Sequence, residues 1–139
     1  MILLEVPGRG TCQLEHLVLD LNGTLALDGQ VLPGVDERVT ALSAHLAVYL
    51  VTADTLGKGQ ETSTRLGCRL ARIQPGQEAS QKQALVERLG AGQVVAIGNG
   101  ANDAQMLSAA AIGIAVLGQE GLACTALQAA DLLVGHITD

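Results

Sequence analysis

The chain has 139 residues, 48% of them apolar, with one Tyr and neither Phe nor Trp. Its formal charge of −6 and its lack of clustered Lys and Arg exclude a nucleic-acid partner bound through phosphate contacts. No apolar run approaches the roughly 18 residues that would cross a membrane, and the N-terminus lacks the basic and apolar regions of a secretory leader.

This length fits one compact domain over 1–139 with an aliphatic core of Leu, Val, Ile and Ala. Cys12, Cys68 and Cys124 are odd in number and widely spaced. They read as thiols in a reducing cytoplasm rather than as a disulfide framework or zinc site.

In chain order, segments 2–6 and 11–15 flank Pro7-Gly8-Arg9-Gly10 and read as a β-hairpin. HLVLDL, 16–21, is a buried strand that ends at an acidic residue. Val35, Val39, Leu42 and Leu46 give residues 34–46 helical spacing. A second buried strand, 47–52, ends at Thr52. The spacing predicts a helix over 55–66 closed by Gly67, a short strand at 68–73 and a turn at Pro75-Gly76. Helices at 80–89, 102–109 and 121–130 then alternate with strands at 93–97, 112–117 and 132–134. The order implies an α/β fold, a Rossmann-like, mostly parallel sheet with right-handed crossovers and helices on both faces. Ligands of such sheets lie at the carboxyl ends of the strands.

Four polar groups fall at those ends. Asp20 closes the first central strand, and Gly23 follows three residues later, where glycine permits a sharp turn and close backbone approach to a phosphate. A carboxylate held there can attack phosphorus, although Asp is also a common turn residue. Thr52 places a hydroxyl beside Ala53, with Asp54 read as the cap of the next helix. Lys82, one of only two lysines, is expected in the first turn of the helix beginning near Ser80. A cation is unfavourable there, and neutralising a phosphoryl group or Asp20 would explain it. Gly98-Asn99-Gly100-Ala101-Asn102-Asp103 follows an apolar strand and sets Asn99 and Asp103 one helical turn apart, where their oxygens can meet a hard cation such as Mg²⁺.

Together these segments resemble the haloacid dehalogenase superfamily, whose motifs are DxDGT, Ser/Thr, Lys and GDxxxD or GDGxND. Here they stand in order as Asp20-Leu21-Asn22-Gly23-Thr24, Thr52, Lys82 and Gly98 to Asp103. The last is similar to the phosphorylation domains of P-type ATPases and their soluble phosphatase-like relatives. The resemblance implies Asp20 as nucleophile and Mg²⁺ ligand and the Asn22 carbonyl as a second ligand. It implies Thr52, Ala53, Asn102 and the amide near Gly23 around the phosphoryl group, and Lys82 as its counter-charge. Asp103 would complete the metal site directly or through water, with Asn99 in place of the usual loop Asp.

Two departures bear on activity. Asn22 replaces the Asp that does general acid–base work, a contribution of about 10²–10⁴-fold. Asn99 removes a negative charge from the metal site. The resemblance therefore implies a Mg²⁺-dependent phosphatase or phosphotransferase slow in hydrolysis, with a catalytically weak phosphate- or metal-binding module as the alternative. A dehalogenase fits Thr24 and Asp103 less well.

Only 31 residues separate Asp20 from Thr52 and 29 separate Thr52 from Lys82, so no cap domain fits between the motifs. An open site suits a phosphorylated small molecule or a phosphoprotein, or a homo-oligomer in which a neighbour covers it. The apolar hairpin is the expected edge for such self-association.

Overall fold

A computed structural model describes residues 1–139. Strands β1 (Ile2–Val6) and β2 (Gly10–Leu14) pair antiparallel as the expected hairpin, a two-stranded sheet of their own. Then come β3 (His16–Asp20), a two-residue antiparallel pair β4 (Ala26–Leu27) and β5 (Gln30–Val31), and helix α1 (Val35–Ser43). The chain continues through β6 (Ala47–Thr52), α2 (Lys58–Leu66), β7 (Arg69–Arg72), α3 (Glu78–Leu89) and β8 (Val94–Gly98). It ends with α4 (Ala104–Ala109), β9 (Ile112–Val116), α5 (Cys124–Ala129) and β10 (Leu132–Val134).

Six strands form one sheet in the order β10-β9-β8-β3-β6-β7, and every pair is parallel. Parallel strands buried on both faces require apolar residues on both, and the strands supply them with a two-residue period. In β3, Leu17 and Leu19 face one core while Val18 faces the other. In β6, Val48 and Leu50 oppose Val51. The first core also takes Val35 and Val39 of α1 and Leu66 of α2. The second takes Leu85 and Val86 of α3, Met106 and Leu107 of α4, and Ala126 of α5. Helices therefore cover both faces, as the alternation of elements requires.

Several boundaries differ from expectation. The 55–66 helix begins at Lys58, because Asp54 accepts hydrogen bonds from the amides of Leu56 (3.0 Å) and Gly59 (2.9 Å) and holds 54–57 as a loop. Asp54 thus satisfies a first-turn amide from outside the helix, while the cap position itself is Gly57. The 80–89 helix begins at Glu78, so Lys82 sits in its second turn rather than its first. The 102–109 segment opens with a 3₁₀ turn at Ala101–Asp103, and the 121–130 helix is shorter, Cys124–Ala129. The β4–β5 pair was not expected, since two-residue strands carry no periodicity.

The chain runs outward from β3 to β6 and β7, then crosses through α3 to β8 on the other side of β3. Strand order therefore reverses between β3 and β8, opening a crevice at their carboxyl ends. Asp20 lies opposite Val51, one residue before Thr52, and Leu19 lies opposite Ile97, one before Gly98. This register brings three of the four motifs to one edge.

Candidate functional site

At that edge is a polar cavity of about 410 Å³ lined by Asp20, Asn22, Thr52, Ala53, Asp54, Glu78, Lys82, Asn99, Gly100, Asn102 and Glu120. Lys82 is its organising cation. The face of α3 that buries Leu85 and Val86 also buries Lys82, three and four positions earlier. Gln81 fixes the preceding turn, its side chain bonding the amide and carbonyl of Gln74 and the carbonyl of Gly76, each at 2.9 Å. The Lys82 ammonium donates to Asp20 Oδ1 at 2.9 Å and to Asp103 Oδ1 at 2.7 Å, with Asn102 Oδ1 at 3.4 Å.

All three charged groups are buried: Lys82 is 3% exposed, Asp20 8% and Asp103 0%. Burial pushes the Asp20 carboxyl up from 3.8 to about 6; the neighbouring Asp103 charge adds to this and Lys82 opposes it. Burial alone would lower the Lys82 ammonium, but the two carboxylates outweigh it and hold the group above its ordinary value. The unusual feature of Lys82 is thus its pair of acidic partners rather than its distance from a helix end.

Asp103 is placed differently from expectation. Its Oδ2 accepts from the amides of Asn99 (3.0 Å) and Gly100 (2.9 Å), and its Oδ1 accepts from Lys82. These bonds orient the Gly98–Asn102 turn and Lys82, and Asp103 itself does not border the cavity. Gly98 makes this possible: a Cβ there would lie 2.5 Å from the Asp103 Cγ and Oδ2. Gly98→Ala is expected to displace the carboxylate and destabilise the protein by about 1–3 kcal/mol, read from urea melts.

Gly23 also departs from its expected role. Its amide donates to the Ala26 carbonyl at 2.8 Å, within its own turn, and the residue lines a smaller neighbouring cavity. Thr24 joins the two halves of the site; its hydroxyl lies 3.2 Å from both Asp20 Oδ2 and Asn99 Oδ1. Thr52 accepts from the Asp54 amide at 3.1 Å and lines the cavity with Ala53. Sequence reasoning missed Glu78 and Glu120 as lining groups. Glu120 had a detectable signal, an acid between two glycines shortly after a strand end, but belongs to no motif.

No three His, Cys, Asp or Glu side chains cluster closely enough to hold an ion alone. Mg²⁺ does not require such a cage, since one or two carboxylates with waters and phosphate oxygens suffice. Asp20, Asn22 and Asn99 border the cavity and carry oxygens of the hard type Mg²⁺ takes, so the residues present fit the ion.

The family model of haloacid dehalogenase-like hydrolases matches residues 79–122, the stretch that carries Lys82 and the Gly98–Asp103 turn. The protein named "Probable copper-transporting ATPase PacS" of Synechocystis is 34% identical over 101 residues. That match covers 70% of this chain but only 13% of PacS. The uncharacterized protein MJ0072 of Methanocaldococcus jannaschii is 49% identical over 39 residues, 28% of this chain and 89% of that one. Among solved structures, the cobalt-bound deoxy-D-mannose-octulosonate 8-phosphate phosphatase of Haemophilus influenzae superposes with a TM-score of 0.71 at 15% identity. It covers 89% of this chain and 79% of its own, a likeness of fold. The matched stretch and the six-stranded parallel sheet agree, and no cap interrupts the motifs: over residues 79–122 the chain is similar to the haloacid dehalogenase-like hydrolases, and its fold is theirs.

Proposed function

We propose that the chain is a Mg²⁺-dependent phosphatase or phosphotransferase that works through an aspartyl phosphate on Asp20. The observation that carries this reading is the buried Asp20–Lys82 pair at the reversal point of the sheet, open to a polar cavity. Asp20 attacks phosphorus, a bond forms from its carboxylate oxygen to phosphorus, and the bond to the leaving oxygen breaks. The Lys82 ammonium and the Thr52 hydroxyl bind the phosphoryl oxygens, with Asn102 and the Ala53 backbone on the same wall. Asp20, the Asn22 carbonyl and Asn99 would hold Mg²⁺, which supplies positive charge to the phosphoryl group when bound. Asp103 keeps Lys82 in place.

Asn22 cannot donate a proton, so the leaving oxygen takes one from water or departs as a stable anion. It also cannot activate water against the acyl phosphate, so phospho-Asp20 persists. Good leaving groups such as acyl and aryl phosphates are favoured, and transfer to another acceptor competes with hydrolysis. The cavity has no cap over it, which suits a phosphorylated small molecule or an exposed phosphoryl group on a protein. No helix is long and apolar enough to cross a membrane, and we place the chain in the cytoplasm on its free thiols.

The competing reading is a phosphate- or metal-binding module without turnover, favoured by the two amides, Asn22 and Asn99, that face the cavity. Incubation with Mg²⁺ and acetyl phosphate separates the two. The enzyme reading expects acid-stable, hydroxylamine-sensitive phosphate on the chain; absence of labelling and of aryl phosphate turnover would establish the binding module. Asn22→Asp restores the missing proton carrier and is expected to shorten the lifetime of the label about 10²-fold, measured by chase after removal of acetyl phosphate.

A further inference from the structure

The rim of the cavity holds a carboxylate that the four motifs do not account for. Glu120 lies in the loop after β9, between Gly118 and Gly121, whose φ values of 54° and 84° let the chain turn back over the site. The loop is tied to Asn99 at two points. Asn99 Nδ2 donates to the Gly121 carbonyl at 3.3 Å, and the Ala123 amide donates to the Asn99 carbonyl at 2.9 Å. These bonds set Glu120 over Gly23 beside Asn99. A Cβ on Gly23 would lie 2.5 Å from Glu120 Oε2 and 2.5 Å from Asn99 Nδ2, so the two side chains share the space that glycine leaves open. Glu120 is exposed and takes part in none of the ion pairs of the chain.

Charge at the site shows what this carboxylate can do. The single charge of Lys82 is shared by Asp20 and Asp103, and Asn22 and Asn99 are neutral. A hard divalent cation there meets one uncompensated negative charge, weaker than a site with an acid at position 99. Asp54 is engaged with the Leu56 and Gly59 amides, and Glu78 begins α3 on the Lys82 side. Glu120 stands beside the Asn99 side-chain amide, whereas Asp103 is held by the Asn99 backbone amide and Lys82.

We propose that Glu120 supplies the negative charge that Asn99 withholds from the divalent-cation site, a carboxylate moved from the β8 loop to the β9 loop. The proposal rests on reading the cavity as a Mg²⁺-assisted phosphoryl site. Mn²⁺ binding to the full chain, followed by electron paramagnetic resonance without substrate, tests it. Glu120→Gln is expected to weaken Mn²⁺ about tenfold, the scale on which groups supporting a metal site act. Asn99→Asp restores an acid at the original position, so in that background Glu120→Gln is expected to cost only about threefold or less, the mark of two sites coupled through one ion. Without metal, thermal melts are expected to coincide within each background, parent with Glu120→Gln and Asn99→Asp with the double variant, since Glu120 is at the surface and Gln preserves its size. Glu120→Gln binding Mn²⁺ as the parent does, or an equal loss in both backgrounds, overturns the assignment of Glu120 while leaving the phosphoryl site standing. A parent chain that binds no Mn²⁺ overturns both.

Discussion

Asp20→Asn is expected to abolish phosphoenzyme formation and lower turnover of aryl phosphates by at least about 10³-fold, because the amide is not a nucleophile. The fold is expected to survive the change. Lys82 keeps its 2.7 Å bond to Asp103, and the amide oxygen can still accept from the ammonium. Stability is expected to shift in a direction set by titration. Asp20 ionises near 3.8 in the unfolded chain and near 6 in the fold, so the folded state binds more protons between those values. The favourable contribution of protonated Asp20 is complete below 3.8 and is lost as pH rises through about 6. Asn has no such loss. In chelator, urea melts at pH 8 should therefore show the variant at least as stable as the parent, and the difference should vanish towards pH 4. A parent that gains stability between pH 4 and pH 6 relative to the variant would contradict the upward push of burial on the Asp20 carboxyl.

Lys82→Met is the second large effect, and here stability falls. The change leaves Asp20 and Asp103 facing each other in a buried site with their shared cation gone. Removing one member of a buried ion pair costs about 3–5 kcal/mol. Asp20 is already raised by burial and loses the cation that opposed the rise, so the variant is expected to regain stability on acidification, opposite to ordinary acid denaturation. Lys82→Met combined with Asp103→Asn is expected to recover part of the loss at neutral pH by removing one of the two stranded charges. Phosphoryl transfer stays lost in both, since the ammonium that receives the phosphoryl oxygens is gone. Urea melts at pH 5 and pH 8 with all three proteins read these signs.

The sheet was legible in the sequence because most of its strands are short and apolar, and because β3 ends at Asp20, β6 ends at Thr52 and β8 runs into Asn99, where a parallel sheet collects its ligands. Asp20, Thr52 and the Gly98–Asp103 turn could be placed on one edge from that rule alone. Helix starts were less legible. Gln81 clamps the turn before α3 through its side chain, and Asp54 holds open the loop before α2, contacts that no periodicity records. The role of Asp103 was hidden for a similar reason. Its spacing from Asn99 suggests two ligands on one face, yet its partners are a lysine from α3 and the backbone of its own turn, which only the assembled sheet brings together. Gly23 was read as a phosphate contact, and its amide closes the turn to Ala26 instead. Glu120 lay outside any motif, and only the open face of Gly23 reveals what stands beside it.

These features form one account. The reversal of strand order opens the crevice, Lys82 keeps a carboxylate ionised inside it, and Asn22 leaves the resulting acyl phosphate without a proton carrier to break it down. Borohydride reduction of the chain after incubation with Mg²⁺ and acetyl phosphate, followed by peptide mass spectrometry, tests this most directly, because reduction of an acyl phosphate converts that aspartate to homoserine. The account predicts homoserine at position 20 and at no other aspartate. Homoserine elsewhere, or intact Asp20 in a chain that does turn over acetyl phosphate, would contradict it.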